Sequence, residues 1–198
     1  MTATPHRSEL ILGGAKSGKS RRALALGRES RGRVAFLATA EPRDAAMKAR
    51  IARHQAERPS SWATVEEPCD IVPACRRLAA RHDVVIIDCL TLWVSNLMLR
   101  GDTDAAILAA ADELAKLMGE RLLSMILVSN EVGSGVHPAT DAGLRFQDLF
   151  GSVNQRVAAA ADRVTLMVAG LPVQIKDSPS EPTPRERIPI RERIPESP

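Results

Sequence analysis

The stretch GGAKSGKS, Gly13 to Ser20, follows the apolar run LIL and precedes RRALALG. Gly13, Gly18, Lys19 and Ser20 complete the pattern Gly-x4-Gly-Lys-Ser between a predicted strand and a predicted helix. Glycines let the backbone wrap so that successive N–H groups point inward, and the helix start adds partial positive charge, so such a loop cradles phosphates. Lys19 would then reach the β- and γ-phosphates, and Ser20 would offer its hydroxyl to Mg2+. A glycine turn without a ligand is the plain alternative, and the flanking strand and helix speak against it.

The rest of the chain reads as strands alternating with helices. Glu9–Gly13 is a buried strand and Ser17–Glu29 a helix; Arg33–Thr39 and Asp83–Asp88 are near-continuous apolar strands of the kind found inside parallel sheets. Helices are predicted over Asp44–Glu57, Asp70–Arg81 and Asp104–Met118, with a short strand over Trp62–Glu67. The strand Leu123–Asn130, a loop with Gly133, Gly135 and Pro138, and a helical region ending near Ala161 follow. Arg163–Gly170 and Pro172–Lys176 are the last strands, and nothing is assigned between Cys89 and Thr103. This order predicts an α/β fold, a three-layer P-loop NTPase-type domain with a mostly parallel sheet.

Residues 9–176 form that domain, after an extension over 1–8. From 177 to 198 the composition turns to Pro, Ser and charge, with RERIP at Arg185 and again at Arg191, which predicts a disordered tail. The net charge of +3 comes from interspersed acids and bases, and aromatics make up only 3% of the chain, which predicts no nucleic-acid partner. Cys69, Cys75 and Cys89 form no Cys-x-x-Cys pair, so neither a disulfide framework nor a zinc site is expected. MTATPHRSEL lacks the apolar core of a signal segment and no apolar run could span a bilayer, so the expected location is the cytoplasm.

Asp88 closes the run VVIID, where a Mg2+-associated carboxylate belongs in a nucleotide-binding sheet; a helix cap or polar strand end is the plainer alternative. In RIARHQAERPSSW, His54 lies four residues after Arg50 and four before Arg58, so one helix face carries all three. Guanidinium neighbours favour an imidazole with a free nitrogen lone pair, and the same arginines suit the phosphates of a nucleotide. His6, His82 and His137 sit in no such pattern. These residues alone indicate a Mg-dependent nucleotide-binding protein: a kinase, an ATPase or a motor.

The phosphate loop, RIARHQAERPSSW, SNEVGSG and FGSVNQRVAAAADRVTLMVAGLPVQIK, in that order from Glu9 to Lys176, resemble the bifunctional adenosylcobinamide kinase / adenosylcobinamide-phosphate guanylyltransferase family of cobalamin biosynthesis. The resemblance implies that ATP or GTP phosphorylates the aminopropanol hydroxyl of adenosylcobinamide. GTP then gives GMP to that phosphate through a guanylyl-histidine, forming adenosylcobinamide-GDP and pyrophosphate. It implies His54 as the nucleophile, a cytoplasmic enzyme with no membrane span, and a homo-oligomer, typically a trimer. The expected nucleotide contacts are Gly13, Gly14, Ala15, Lys16, Ser17, Gly18, Lys19 and Ser20 of the loop, with Arg50, Arg58, Glu67 and Asp88; Ser20 and Asp88 are the expected Mg2+ ligands. Glu131 is a secondary candidate, and Asn154, Gln155 and Arg156 serve either catalysis or packing. Two departures stand out: Ala46 occupies the position of a common family glutamate, and Arg53 precedes His54 where relatives often have a second histidine. The other readings are a single-activity P-loop small-molecule kinase and an NTP-hydrolysing switch protein.

Overall fold

A computed structural model describes residues 6–135 and 137–177 of the protein. Seven strands, β1 (Ser8–Gly13), β2 (Val34–Ala38), β3 (Ala63–Glu66), β4 (Val84–Asp88), β5 (Ser124–Val128), β6 (Arg163–Val168) and β7 (Leu171–Asp177), form one sheet in the order β3-β2-β4-β5-β1-β6-β7. All neighbours are parallel except β6 and β7, which pair antiparallel through the turn at Ala169 and Gly170. The sequence placed those two residues inside the preceding strand; their left-handed backbone, φ 50° and 85°, turns the chain back instead.

Alternate residues of each central strand feed two cores. Leu10, Leu37, Val85, Ile87 and Leu127 point to one face, which α3 (Ile71–Ala79), α4 (Leu90–Arg100), α5 (Asp104–Glu120) and α6 (Asp141–Ala160) cover. Ile11, Phe36, Val84, Ile86 and Ile126 point to the other, where α1 (Lys19–Glu29) packs Ala23 and Leu24 against them. This is the three-layer arrangement expected of the sequence, and both faces are buried as parallel sheets require.

Helix α4 lies in the segment to which the sequence reading assigned nothing. Leu90, Trp93, Val94 and Leu97 are all buried, at the i, i+3, i+4, i+7 spacing of a core-facing helix, and Gly101 ends it at φ 95°. Helix α2 (Ala45–Ala56) is the opposite case, because none of its residues is buried. Its start is capped by Asp44, whose carboxylate accepts the backbone N–H of Met47 at 2.7 Å. Arg43 donates to buried Asn96 at 3.2 Å ahead of that cap. Beyond its other end Arg28 donates to the Glu57 carbonyl at 2.8 Å. The predicted proline-rich tail lies outside the described residues, although β7 takes in its first residue, Asp177.

Candidate active site

Four strand ends meet the same edge of the sheet: Gly13 of β1, Ala38 of β2, Asp88 of β4 and Val128 of β5. From β1 the chain crosses past β5 and β4 to reach β2, and at such a reversal the loops diverge and leave a crevice for a ligand. The loop after β1 fills one side of it. Gly13 has φ 150°, and a Cβ there would stand 2.6 Å from the Met167 carbonyl and 2.6 Å from Ser17 Oγ. Gly18, at φ 101°, occupies the N-cap position of α1. The β6–β7 turn braces the loop, Gly170 N–H donating to the Ser17 carbonyl at 2.9 Å. Ser17 therefore belongs to the loop, and α1 starts at Lys19 rather than at Ser17 as the sequence suggested.

Lys19 is buried, and its Nζ donates to the carbonyls of Gly13 and Gly14 at 2.7 and 2.6 Å. Burial pushes its ammonium below the ordinary lysine value; Cys89 and Asp88 act against that push and Arg50 with it. The loop and the cleft beside it thus share one electrostatic space. Gly14, Ala15 and Lys16 are exposed, leaving the loop open to a ligand from solvent.

Beside the loop lies a cleft of about 430 Å³, its open mouth included, lined by Ala38, Arg50, His54, Arg58, Asp88 and Cys89 among others. Met47, Arg50, Ile51 and His54 follow one another at three- and four-residue steps, so α2 turns one face to it. Arg50, His54, Arg58 and Asp88 all line this cleft, but Arg58 lies two residues past the end of α2 rather than on the helix face where the sequence puts it. His54 is half-buried and Arg53 is exposed outside the cleft.

Two residues of the cleft carry polar atoms without partners. Asp88 Oδ2, and Nε and Nη1 of Arg58, are buried and unbonded among the described residues, as is Ser17 Oγ in the phosphate loop. Burial pushes the Arg58 guanidinium below its ordinary value, with Asp88 and Glu66 acting in the opposite sense. Cys89, next to Asp88, is pushed up to about 11, chiefly by burial, so its thiol is protonated near neutral pH. An orphaned carboxylate oxygen at a strand end beside a phosphate loop fits Mg2+, which keeps several waters and takes one or two protein oxygens besides phosphate. Among the described residues no group of three or more His, Cys, Asp or Glu is placed to hold a metal ion.

Other candidates lie outside the cleft lining. The Glu67 carboxylate accepts the backbone N–H groups of Cys69 and Asp70 at 3.2 and 2.9 Å, holding the turn into α3. Ala46 is exposed on the first turn of α2 and does not line the cleft. Glu131 accepts from Gly133 N–H at 2.8 Å, and its own N–H donates to the Gly13 carbonyl at 3.1 Å, so it abuts the phosphate loop. Asn154 is buried, accepting from Ser129 Oγ at 2.6 Å and donating to the Asn130 carbonyl at 3.0 Å, while Arg156 pairs with Asp112. Of the NQR run, these two fasten α6 to its neighbours, and Gln155 is exposed.

Sequence reasoning passed over three groups near the site. Thr39 Oγ1 donates to the Cys89 carbonyl at 2.7 Å and accepts its N–H at 2.8 Å, tying β2 to β4 below the cleft. Asn96 donates to the Thr39 carbonyl at 2.8 Å. Phe36 lies beneath Arg58, whose guanidinium carbon stands 3.7 Å from the ring centroid.

Residues 9–175 match the family described as cobinamide kinase / cobinamide phosphate guanyltransferase. The chain belongs to this family. It is 43% identical over 171 residues to the bifunctional adenosylcobalamin biosynthesis protein CobP of Pseudomonas aeruginosa, covering 86% of this chain and 98% of that one. With CobU of Escherichia coli, also a bifunctional adenosylcobalamin biosynthesis protein, identity is 37% over 179 residues, covering 84% and 98%. Membership makes the chain a nucleotide-using transferase of cobalamin biosynthesis, with kinase and guanylyltransferase roles. Among the described residues no helix is long and apolar enough to cross a membrane.

Proposed function

We propose that this family member carries out both transfers at the crevice just described. In the first, the loop from Gly13 to Ser20 holds an ATP or GTP triphosphate, and Lys19 neutralises charge on the γ-phosphoryl group as it passes to the aminopropanol hydroxyl of adenosylcobinamide. Ser20 and Asp88 would hold Mg2+, which would supply positive charge against that of the phosphates. In the second, a His54 nitrogen attacks the α-phosphorus of GTP; the P–N bond forms as the α–β bridging P–O bond breaks, and pyrophosphate leaves. The phosphate of adenosylcobinamide phosphate then displaces the imidazole, giving adenosylcobinamide-GDP. Arg50 and Arg58 suit the nucleotide phosphates. Glu67 contributes by shaping the turn beside the cleft.

The observation that carries this reading is the convergence of His54, Arg50, Arg58 and Asp88 on one cleft beside a phosphate loop. We extend it to a cytoplasmic homo-oligomer, a trimer as the resemblance implies. Val168, Leu171, Val173 and Ile175, all exposed on the β6–β7 hairpin, offer an apolar surface for association.

The test is incubation with GTP labelled at the α-phosphate in the presence of Mg2+, followed by mapping of acid-labile, alkali-stable label. Label on His54 is the expected result. A folded, GTP-binding chain that takes no label would refute the guanylyl-histidine and leave a kinase.

A further inference from the structure

Arg58 is held in an unusual way. Ten ion pairs form among the described residues, and none includes Arg58 or Asp88. Both line the same cleft with opposite charge, and both present buried atoms without partners. Guanidinium and carboxylate atoms left buried and unbonded on one cleft are costly unless something else completes the set. Between a cation and an anion that do not touch, the complement is a charge-alternating ligand: phosphate toward Arg58 and a divalent cation toward Asp88.

Phe36 explains how Arg58 waits for it. The ring is 3% exposed in β2, between Thr64 of β3 and Ile86 of β4 in register, and the guanidinium lies over its face. Stacking on an aromatic face holds an arginine while leaving every in-plane N–H free to donate, which a carboxylate partner would not. An arginine that only finished α2 would give its side-chain donors to the last carbonyls of that helix. Here only the Arg58 backbone N–H does so, to Gln55 at 3.2 Å.

We propose that Phe36 is a positioning residue for guanylyl transfer, fixing Arg58 so that its N–H groups meet the non-bridging oxygens of the α-phosphate as it moves from GTP to His54. This rests on the guanylyl-histidine reading given above. As the His54 lone pair forms the P–N bond and the electron pair of the broken P–O bond leaves on pyrophosphate, Arg58 donates hydrogen bonds throughout and gives up no proton.

The test replaces Phe36 with mono-, di- and trifluorophenylalanine, which keep the ring's shape while weakening the negative charge on its face stepwise. Three quantities are read: the single-turnover rate of His54 labelling by GTP, the kinase kcat with ATP, and Tm. The expected result is a graded fall in labelling, roughly fivefold across the series, with kinase rate and Tm unchanged. Arg58→Lys, which keeps the charge but loses the flat fork of donors, should lose most labelling. Labelling indifferent to fluorination, or falling only in step with Tm, overturns the inference while the guanylyl-histidine stands. A wild-type chain that takes no label refutes that underlying reading, and the inference with it.

Discussion

Replacing Asp88 with asparagine separates what this residue does for the fold from what it does for the reaction. Its Oδ2 is buried and unbonded, and such an atom costs about 1–3 kcal/mol in the folded state. An amide keeps the shape and removes the charge, so part of that cost is recovered. Against it stands the attraction that Asp88 exerts on Lys19 and Arg58, each worth about 1–2 kcal/mol in a partly buried site. The two contributions offset to within about 1–2 kcal/mol, which for a domain of this size moves Tm by no more than about 8 °C. Activity should respond on another scale, with phosphoryl transfer falling at least ~10²-fold and the Mg2+ requirement rising. Calorimetry and a kinase assay over a range of Mg2+ concentrations read both quantities on the same sample. A Tm loss above about 10 °C, with activity tracking the folded fraction, would refute the reasoning and make Asp88 part of the core. Full activity in a stable Asp88→Asn chain would refute it from the other side.

Other perturbations have equally definite outcomes. His54→Ala should abolish covalent labelling by GTP and keep most kinase activity, with stability changed by no more than about 0.5 kcal/mol, because α2 buries none of its residues; urea melts and the two assays check this. Gly13→Ala should destabilise by about 2–4 kcal/mol, since it places a methyl group 2.6 Å from the Met167 carbonyl at a φ that side chains rarely adopt; a lowered urea midpoint with unchanged slope is the expected signature. Asp162 gives a pH dependence. Burial alone would raise its pKa, but hydrogen bonds from Ser8 N–H at 2.8 Å, Arg121 at 2.7 Å and the Ser8 hydroxyl at 2.9 Å hold it below the ordinary 3.8. A carboxylate with a depressed folded pKa stabilises fully above its unfolded value and loses that contribution as pH falls through the folded one. The deficit of Asp162→Asn, about 1–2 kcal/mol at pH 6, should therefore shrink below pH ~3.8; a deficit independent of pH would refute the assignment.

The phosphate loop was legible in the sequence because its geometry is local: Gly13 and Gly18 are demanded by backbone angles, and Lys19 by its place at the first turn of α1. The parallel sheet was legible for a related reason, each buried strand being apolar on both faces. Helical periodicity suffices for Arg50 and His54, whereas Arg58 lies past the end of α2 and reaches the same cleft from the turn that follows. Helix α4 carried a readable signal, Leu90, Trp93, Val94 and Leu97 at core spacing, but further apolar residues between them blurred the stripe. What could not be read was pairing at long range. Phe36 and Arg58 are 22 positions apart and nothing local links them.

Helix α2 puts the candidate nucleophile on an element with no share in either core. Its opening free energy is consequently set by a few contacts at its two ends, far below that of the sheet, and its amide protons should exchange with solvent long before those of β4 or β5. The same economy governs inheritance. Substitutions along α2 escape the stability threshold that polices the core, so a descendant could lose the guanylyl-transfer chemistry, one residue at a time, while still folding and still binding nucleotide at its phosphate loop.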